Sequence, residues 1–366
     1  MKFSFDKEAI LKEISIAQEI ISSKNAISIL SNIYLEAADN SLIIKATDRN
    51  VNFKTVVPVT VIEKGATTVY GDLFFRIISS FSHNEIEFSQ SDNIAVIKPV
   101  NKNTPKHQLK IIVSDTFPEF PVSGSSFFEM PIKDFKDMIK QSIFAVSDDE
   151  TRYFMNGVYL EKSEDKINMV ATDGRRLAYV GKPASSKISD FSGVIIPPKI
   201  LNIISKRSGD EGPINISVND KTIYINFASY EFTSVLIEGM FPNYKKVIPE
   251  SQEFNIIIKR EEMLSALRQV SNTVEKKSHR IYLGISSGKM AVYSEEGEHG
   301  KTDDEIPCQY DGEELTIALN YRYLEEPFRI MDDENIKIKF TSSIKAITIE
   351  PVPTKDFFHI VMPMQS

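Results

Sequence analysis

The 366-residue sequence predicts an α+β fold of three tandem β-rich repeats with two helices each. Three observations point there. A tyrosine-leucine strand, a polar turn and a second apolar strand recur at Asn32 to Val51, Arg152 to Gly181 and Arg280 to Gly300, which puts Tyr34, Tyr159 and Tyr282 125 and 123 residues apart. Each hairpin is preceded by a strand and a helical stripe, and followed by another strand and helix. The length fits a prior of about 100 to 200 residues per domain, and 42% hydrophobic residues let each copy bury its own core.

In chain order, Phe3 to Asp6 reads as a strand and Lys7 to Ile21 as a helix, because Ile10, Ile14, Ala17 and Ile21 recur at three- and four-residue spacing on one face. Phe127 to Pro131 leads likewise into Phe135, Ile139, Ser142 and Val146, and Phe254 to Ile258 into Met263, Leu267 and Val270. After the hairpins come Thr67 to Tyr70 with a helix over Leu73 to Phe81, Gly193 to Ile196 with a helix over Pro198 to Arg207, and Leu315 to Leu319 with a helix over Tyr321 to Met331. Pro198 suits a first helical turn, where its missing N–H leaves no bond unmade. Pro327 falls inside the last helix and predicts a break or kink. Alternating strands close each repeat: Glu85 to Val100 and Gln108 to Val113, Ile214 to Phe227 and Glu231 to Ile237, then Ile336 to Glu350 and Phe358 to Val361, with tight turns at Asp92-Asn93 and Asn219-Asp220. Proline and small polar residues at Phe117 to Ser126 and Ile248 to Ser251 read as joins, giving domains 1–122, 127–248 and 253–366.

Composition narrows the function. Cys308 is the single cysteine, which excludes an intramolecular disulfide and cysteine-based zinc sites and suits a reducing compartment. The start, Met1 to Phe5, alternates like a strand rather than a signal peptide, and no apolar run approaches the roughly 18 residues of a membrane span. A soluble, cytoplasmic protein without membrane contact is the expectation. The net charge of −8 argues against a surface that coats nucleic acid. The six helical windows nonetheless carry a net +3, leaving −11 for the rest. Slightly basic helices within an acidic remainder suit a lining that tolerates phosphate. Six helices side by side at roughly 10 Å each enclose a bore of about 20 Å, too narrow for a hydrated duplex; twelve, from two chains, enclose just under about 40 Å. Lys199 and Arg207, on the most basic helix, are candidate phosphate contacts.

The sequence also resembles the DNA polymerase III beta subunit family of bacterial sliding clamps. The resemblance is carried by RYFMNG (152–157), ATDGRRLA (171–178), FTSVLIEGMFPNYKKVIP (232–249), the asparagine-tyrosine pair of LNYRYL (319–324) and the terminal VMPM (361–364), and it spans all three repeats. It implies the DNA clamp fold: a head-to-tail dimeric ring, with helices lining the pore, that encircles duplex DNA without reading its sequence and tethers the replicative polymerase. It implies an apolar groove for short glutamine-leucine-phenylalanine type peptides of the polymerase, clamp loader, repair polymerases, ligase and mismatch-repair proteins. The matching positions are Met155, Thr172, Gly174, Arg175, Arg176 and Leu177; Pro242, Lys246 and Val247; Asn320, Tyr323, Ile344 and Ala346; and Val361, Met362, Pro363 and Met364. Methionine gives such a groove a soft, adaptable lining. The ending Gln365-Ser366 departs from the family's basic-then-apolar pattern. Lys24, Tyr153 and Phe154 match DNA-contact positions, whereas two further such positions are here the acidic Asp72 and Asp149. His107, Leu109 and Val270 match dimer-interface positions, with His107 standing where the family often has an aromatic.

No catalytic residue, metal site or cofactor is expected. The five histidines are scattered, no Gly-rich phosphate loop or nucleophile elbow occurs, and Asp148-Asp149-Glu150 reads as a solvated acidic turn rather than a metal cluster. A hydrolase would need an acid–base pair that the sequence does not show. A generic interaction scaffold would share the groove but not the ring.

Overall fold

The computed structural model describes residues 1–21, 29–123, 127–185, 188, 190–297 and 300–365. The first repeat runs β1 (Lys2–Asp6), α1 (Lys7–Ile20), β2 (Asn32–Ala38), β3 (Ser41–Thr47), β4 (Val51–Pro58), β5 (Thr60–Glu63), β6 (Gly65–Tyr70), α2 (Gly71–Ser80), β7 (Glu85–Ser91), β8 (Ile94–Pro99) and β9 (His107–Lys110). The second runs β10 (Phe128–Pro131), α3 (Ile132–Ser142), β11 (Val158–Ser163), β12 (Lys166–Thr172), β13 (Arg176–Pro183), β14 (Val194–Ile196), α4 (Pro198–Arg207), β15 (Pro213–Val218), β16 (Thr222–Phe227) and β17 (Tyr230–Val235). The third runs β18 (Phe254–Lys259), α5 (Arg260–Val270), β19 (Arg280–Ser286), β20 (Lys289–Tyr293), β21 (Asp303–Pro307), β22 (Leu315–Asn320), α6 (Tyr321–Ile330), β23 (Asn335–Phe340), β24 (Ile347–Val352) and β25 (Phe357–Val361).

The α+β pattern of the sequence is present, and its three tyrosine hairpins are β2/β3, β11/β12 and β19/β20. The helices start where local chemistry starts them. Asp6 accepts from the Ala9 amide at 3.0 Å and caps α1, and Asn320 accepts from the Arg322 amide at 3.0 Å and caps α6. The stripes face the core as their spacing demands: Ile10, Ile14 and Ala17 on α1 and Met263, Leu267 and Val270 on α5 are buried, while Ile21 falls just past the end of α1 and is only half-buried. Pro327 does not break α6, which continues through it to Ile330. Proline forfeits one backbone bond, but the final turn is closed by the Met331 amide on the Pro327 carbonyl at 3.2 Å, and the ring itself is buried.

The repeats do not close their sheets on themselves, as the sequence reading supposed. The hairpin strands of one repeat pair with the closing strands of the next. An eight-stranded sheet of order β10-β15-β16-β17-β4-β3-β2-β6 joins the first and second repeats through β4 and β17, and another of order β14-β11-β12-β13-β25-β24-β23-β18 joins the second and third through β13 and β25. Two shorter sheets are left over: β5-β1-β7-β8-β9 from the first repeat and β21-β20-β19-β22 from the third. The chain correspondingly divides into two compact units, one of Met1–Lys133, Ser185–Ser189 and Lys199–Leu236, the other of Asp134–Ala184, Asp190–Pro198 and Ile237–Ser366. Each eight-stranded sheet lies wholly within one unit. The cross-repeat seams are apolar beneath: Phe53 on β4 and Phe232 on β17 are fully buried with ring centroids 5.1 Å apart, the kind of aromatic pair that adds to the roughly 1.5 to 3 kcal/mol of burying each side chain. Among the described residues no helix is long and apolar enough to cross a membrane.

Candidate functional site

All the candidate groove residues belong to the second unit, where the β13/β25 seam gathers their elements. The strands pair antiparallel, with Leu177 opposite Ile360 and Tyr179 opposite Phe358. The turn entering β13 shows why the sequence reads Thr-Asp-Gly there. Thr172 Oγ1 donates to the Arg176 carbonyl at 2.6 Å and accepts from the Gly174 amide at 3.1 Å, while Asp173 Oδ1 accepts from the amides of Arg175 at 2.9 Å and Arg176 at 3.1 Å. Gly174 has φ +86°, a conformation that favours glycine.

Arg176 is a strut between this turn and α6. Its Nε donates to Asp173 Oδ2 at 3.1 Å, its Nη1 pairs with Glu326 on α6, and its Nη2 donates to the Phe144 carbonyl at 2.7 Å. The guanidinium lies over the rings of Tyr323, 4.6 Å from the centroid, and Phe144, at 5.5 Å. With all three nitrogens engaged, Arg176 ties β13 to α6.

The tail is stitched across the same region. The Met362 amide donates to the Arg175 carbonyl at 2.9 Å, the Met364 amide to the Ala318 carbonyl of β22 at 2.8 Å, and Arg280 Nη2 to the Gln365 carbonyl at 3.0 Å. Ser366 lies outside the described residues. Asn320 is the cap of α6, and Met155 is buried at the end of a 3-10 turn, Glu150–Met155.

Beneath the seam is an apolar floor of Val170, Leu177, Ile195, Phe241, Tyr244 and Ile360, flanked by Tyr159, Tyr179, Ala346 and Phe358. Aromatic rings stack within it and at its edge: Tyr159 on Phe241 at 4.7 Å and Tyr179 on Phe358 at 4.9 Å. The same unit exposes large apolar side chains: Ile344 is 79% exposed, Val247 50% and Met362 41%. Lys246, Val247 and Ala346 line an open cleft of about 670 Å³ together with Ile248 and Lys345. Pro242, Tyr323 and Pro363 are half-exposed.

His359, on β25 beside Ile360, is fully buried. Its Nε2 is 3.1 Å from Gln141 Oε1 on α3, its Nδ1 has no hydrogen-bond partner, and its ring meets Phe144 edge-on at 5.2 Å. Burial pushes its pKa down to about 3, so the ring is neutral.

The described DNA candidates are divided between the two units. Lys24 lies outside the described residues. Tyr153 is exposed and Phe154 half-buried, the two rings edge-to-face at 5.8 Å. Both press on Gly239, which has φ +118° and where a Cβ would sit 3.1 Å from that of Phe154. In the first unit, Lys199 donates to Asp48 Oδ2 at 2.6 Å and the Ile20 carbonyl at 2.9 Å, and Arg207 pairs with Glu19. Their charge is thus partly matched by carboxylates. Asp72 pairs with Arg76 at 3.1 Å. Asp149 caps the 3-10 turn through the Thr151 hydroxyl and amide and pairs with Arg152 Nε at 2.9 Å, contacts that hold its pKa below the ordinary value. Of the interface candidates, His107 is half-buried against Phe81, while Leu109 and Val270 turn inward and are buried.

Sequence reasoning missed the aromatic floor and the glutamate beneath it, Glu161, which accepts from the Tyr244 hydroxyl at 2.5 Å. A signal existed: Phe241-Pro242-Asn243-Tyr244 repeats Phe117-Pro118-Glu119-Phe120 at the matching place in the first repeat.

Comparison with known proteins places this arrangement. Profiles of the N-terminal, central and C-terminal domains of the DNA polymerase III beta subunit match residues 1–121, 129–243 and 245–365. The chain is 43% identical over 371 residues, spanning the whole of both proteins, to the Beta sliding clamp of Treponema pallidum. Among solved structures it resembles the sliding clamp of Bartonella birtlesii bound to griselimycin, with TM-score 0.94 and 27% identity over 100% of each chain. It likewise resembles the DNA polymerase III subunit beta of Borrelia burgdorferi in complex with a natural product, with TM-score 0.92 and 25% identity over 100% of this chain and 99% of that one.

Proposed function

The chain belongs to the DNA polymerase III beta subunit family, and from that premise we infer how it works. It is a sliding clamp, a non-catalytic processivity factor of DNA replication whose partners are DNA, the polymerase and a second copy of itself. A tether that encircles its track keeps polymerase locally concentrated without tight contacts, so it can hold and slide together. We propose three domains, 1–122, 127–248 and 253–366, and a cytoplasmic location.

One observation carries the ring: the two unfinished sheets. The strand after the hairpin pairs with the closing strand of the next repeat at β4/β17 and again at β13/β25. By the same rule β21 calls for a closing strand, and β9, the closing strand of the first repeat, is a free edge of its sheet. Open edges recruit strands. A head-to-tail pairing of β9 with the β21 of a second copy, made twice, completes both sheets and closes the assembly after two chains. Charge favours it: Lys106 and Lys110 flank His107 and Leu109, while β21 opens Asp303-Asp304-Glu305. Leu109 and Val270 then act as apolar support behind the edges and His107 at the surface.

The groove of the second unit accepts short peptides from polymerase, clamp loader, repair polymerases, ligase and mismatch-repair proteins. Val247, Ile344 and Met362 offer the apolar surface, Leu177 and Val361 the floor behind it, and Lys246 and Arg175 flanking charge. Lys24, Lys199 and Arg207 are the candidate phosphate contacts, and Tyr153 and Phe154 the candidate contacts to sugar or base.

Retention on nicked circular DNA, compared before and after linearisation, tests the clamp reading. Loss on cutting the circle is the expected result; equal retention on both would contradict topological binding.

A further inference from the structure

The segment that carries Pro242, Lys246 and Val247 runs from the end of β17 to the start of β18, and between Ile237 and Glu253 its one regular piece is a short 3-10 turn, Tyr244–Val247. That turn lacks a side-chain cap, and the bond that enters it, from the Lys246 amide to the Asn243 carbonyl, is 3.3 Å long. A segment with so little regular structure depends on its side chains for its position. At its start the Ile237 amide donates to the Ile195 carbonyl at 2.9 Å, and Phe241 stacks on Tyr159. At its end Gln252 Nε2 donates to the carbonyls of Lys339, 3.0 Å, and Ala346, 2.9 Å. Between these anchors Tyr244 packs on Tyr159 and Tyr179, and its hydroxyl is tied to the sheet by Glu161 on β11. Its Oε1 accepts from the Tyr244 hydroxyl at 2.5 Å and Asn168 Nδ2 at 3.3 Å, with Lys245 Nζ also at 3.3 Å.

We propose that Glu161 is a positioning residue of the peptide groove: by holding the Tyr244 hydroxyl it sets where Lys246 and Val247 stand. This rests on the peptide-groove reading above. The bond joins a neutral donor to a carboxylate whose side chain is only 14% exposed, the stronger class of hydrogen bond. Burial first and Glu161 second push the tyrosine pKa far up, so the phenol keeps its proton. Val247 follows Tyr244 by three residues, one turn of a 3-10 helix, so a shift of the ring is passed to the groove side chain.

The molecule holds its own control. Glu36 stands on β2 where Glu161 stands on β11, but it accepts from Tyr34 two residues away, at 3.0 Å, and Phe120, in the place of Tyr244, has no hydroxyl to offer. A glutamate needed only to build the sheet would serve both copies alike. The tie to the following segment occurs only in the copy with an apolar groove.

The test uses the full-length protein, a labelled synthetic peptide containing glutamine, leucine and a terminal phenylalanine, and titration alongside thermal melting. Tyr244→Phe should weaken peptide binding about tenfold; Glu161→Gln, which keeps an acceptor, should weaken it less; and the two together should equal Tyr244→Phe alone, as expected for one shared bond. Hydrogen exchange should quicken at residues 243–248 in both variants. Tyr34→Phe should leave binding within about twofold. Affinity in Tyr244→Phe within twofold of wild type, or an equal loss in Tyr34→Phe, would overturn the assignment while leaving the groove intact. Wild-type protein that ignores the peptide would sink the groove reading itself, and this inference with it.

Discussion

The seams β4/β17 and β13/β25 are built on one register and filled with opposite chemistry. Where the second unit sets Leu177 against Ile360, the first sets Asn52 against Thr233, joined by a 2.7 Å hydrogen bond. Where Tyr179 stacks on Phe358, Lys54 pairs with Glu231 at 2.8 Å. Buried Val170 is matched by Lys45, whose Nζ lies 4.7 Å from the ring centroid of Tyr34 and 5.9 Å from that of Phe120. Ile195 is matched by Thr68, which accepts from Asn32 at 2.8 Å. Both copies keep an open cleft, about 530 Å³ in the first unit and about 670 Å³ in the second. The difference lies in what the cleft leaves unmet. Polar pairs in the first satisfy one another, so a ligand gains little by displacing them. In the second unit Val247, Ile344 and Met362 stay exposed beside a buried apolar floor, and burying them is worth about 25 cal/mol per Å² to whatever covers them.

Exchanging the chemistry should break the contrast. Leu177→Asn puts a polar group against Ile360 with no bonding partner and should lower stability by about 3 kcal/mol or more, read by denaturant unfolding, and abolish binding of the test peptide. The reverse exchange, Asn52→Leu with Thr233→Ile, removes their hydrogen bond whole but strands the buried Thr47 hydroxyl, which donates to Asn52 Oδ1 at 2.6 Å, and should lower stability by about 1 to 3 kcal/mol.

The second test is acid. His359 stands in the register position that Phe232 occupies in the other seam. With a folded pKa near 3 and an unfolded value of about 6.5, the unfolded chain takes up a proton first as pH falls. The stability of neutral His359 is therefore present above about pH 6.5 and is lost toward pH 3, by up to about 1.4 kcal/mol per pH unit. Melting of the second unit between pH 7 and pH 5 should show this slope, and His359→Phe should flatten it.

The smallest effect concerns the turn. Gly174 at φ +86° is matched by Arg49 at φ +78°, a conformation that costs a side chain energy. Arg49→Gly should raise stability by about 0.5 kcal/mol, with calorimetry as the check.

These seams also show where sequence reading stops. The tyrosine period and the apolar stripes made hairpins and helices legible, because strand alternation and helical spacing are local. Pairing across repeats was not, since β4 meets a strand some 180 residues away and nothing in Val51 to Pro58 names its partner. Pro327 misled in part: propensity forecasts an end or a kink, and the helix does not end there but runs on to Ile330. At the site, Thr172 to Leu177 and the terminal methionines stood out as motifs. Glu161, Phe144 and Glu326 did not, since their roles exist only through partners distant in sequence, Tyr244 and Arg176.

The third seam is the one that a single chain leaves open, and cross-linking reads it directly. With Cys308 replaced by alanine, Gln108→Cys on β9 and Asp304→Cys on β21 should be joined by a bifunctional maleimide. The prediction is a covalent species of about twice 41.4 kDa, with nothing larger. Monomer alone, or a ladder of trimers and longer chains, would contradict a ring closed by two copies.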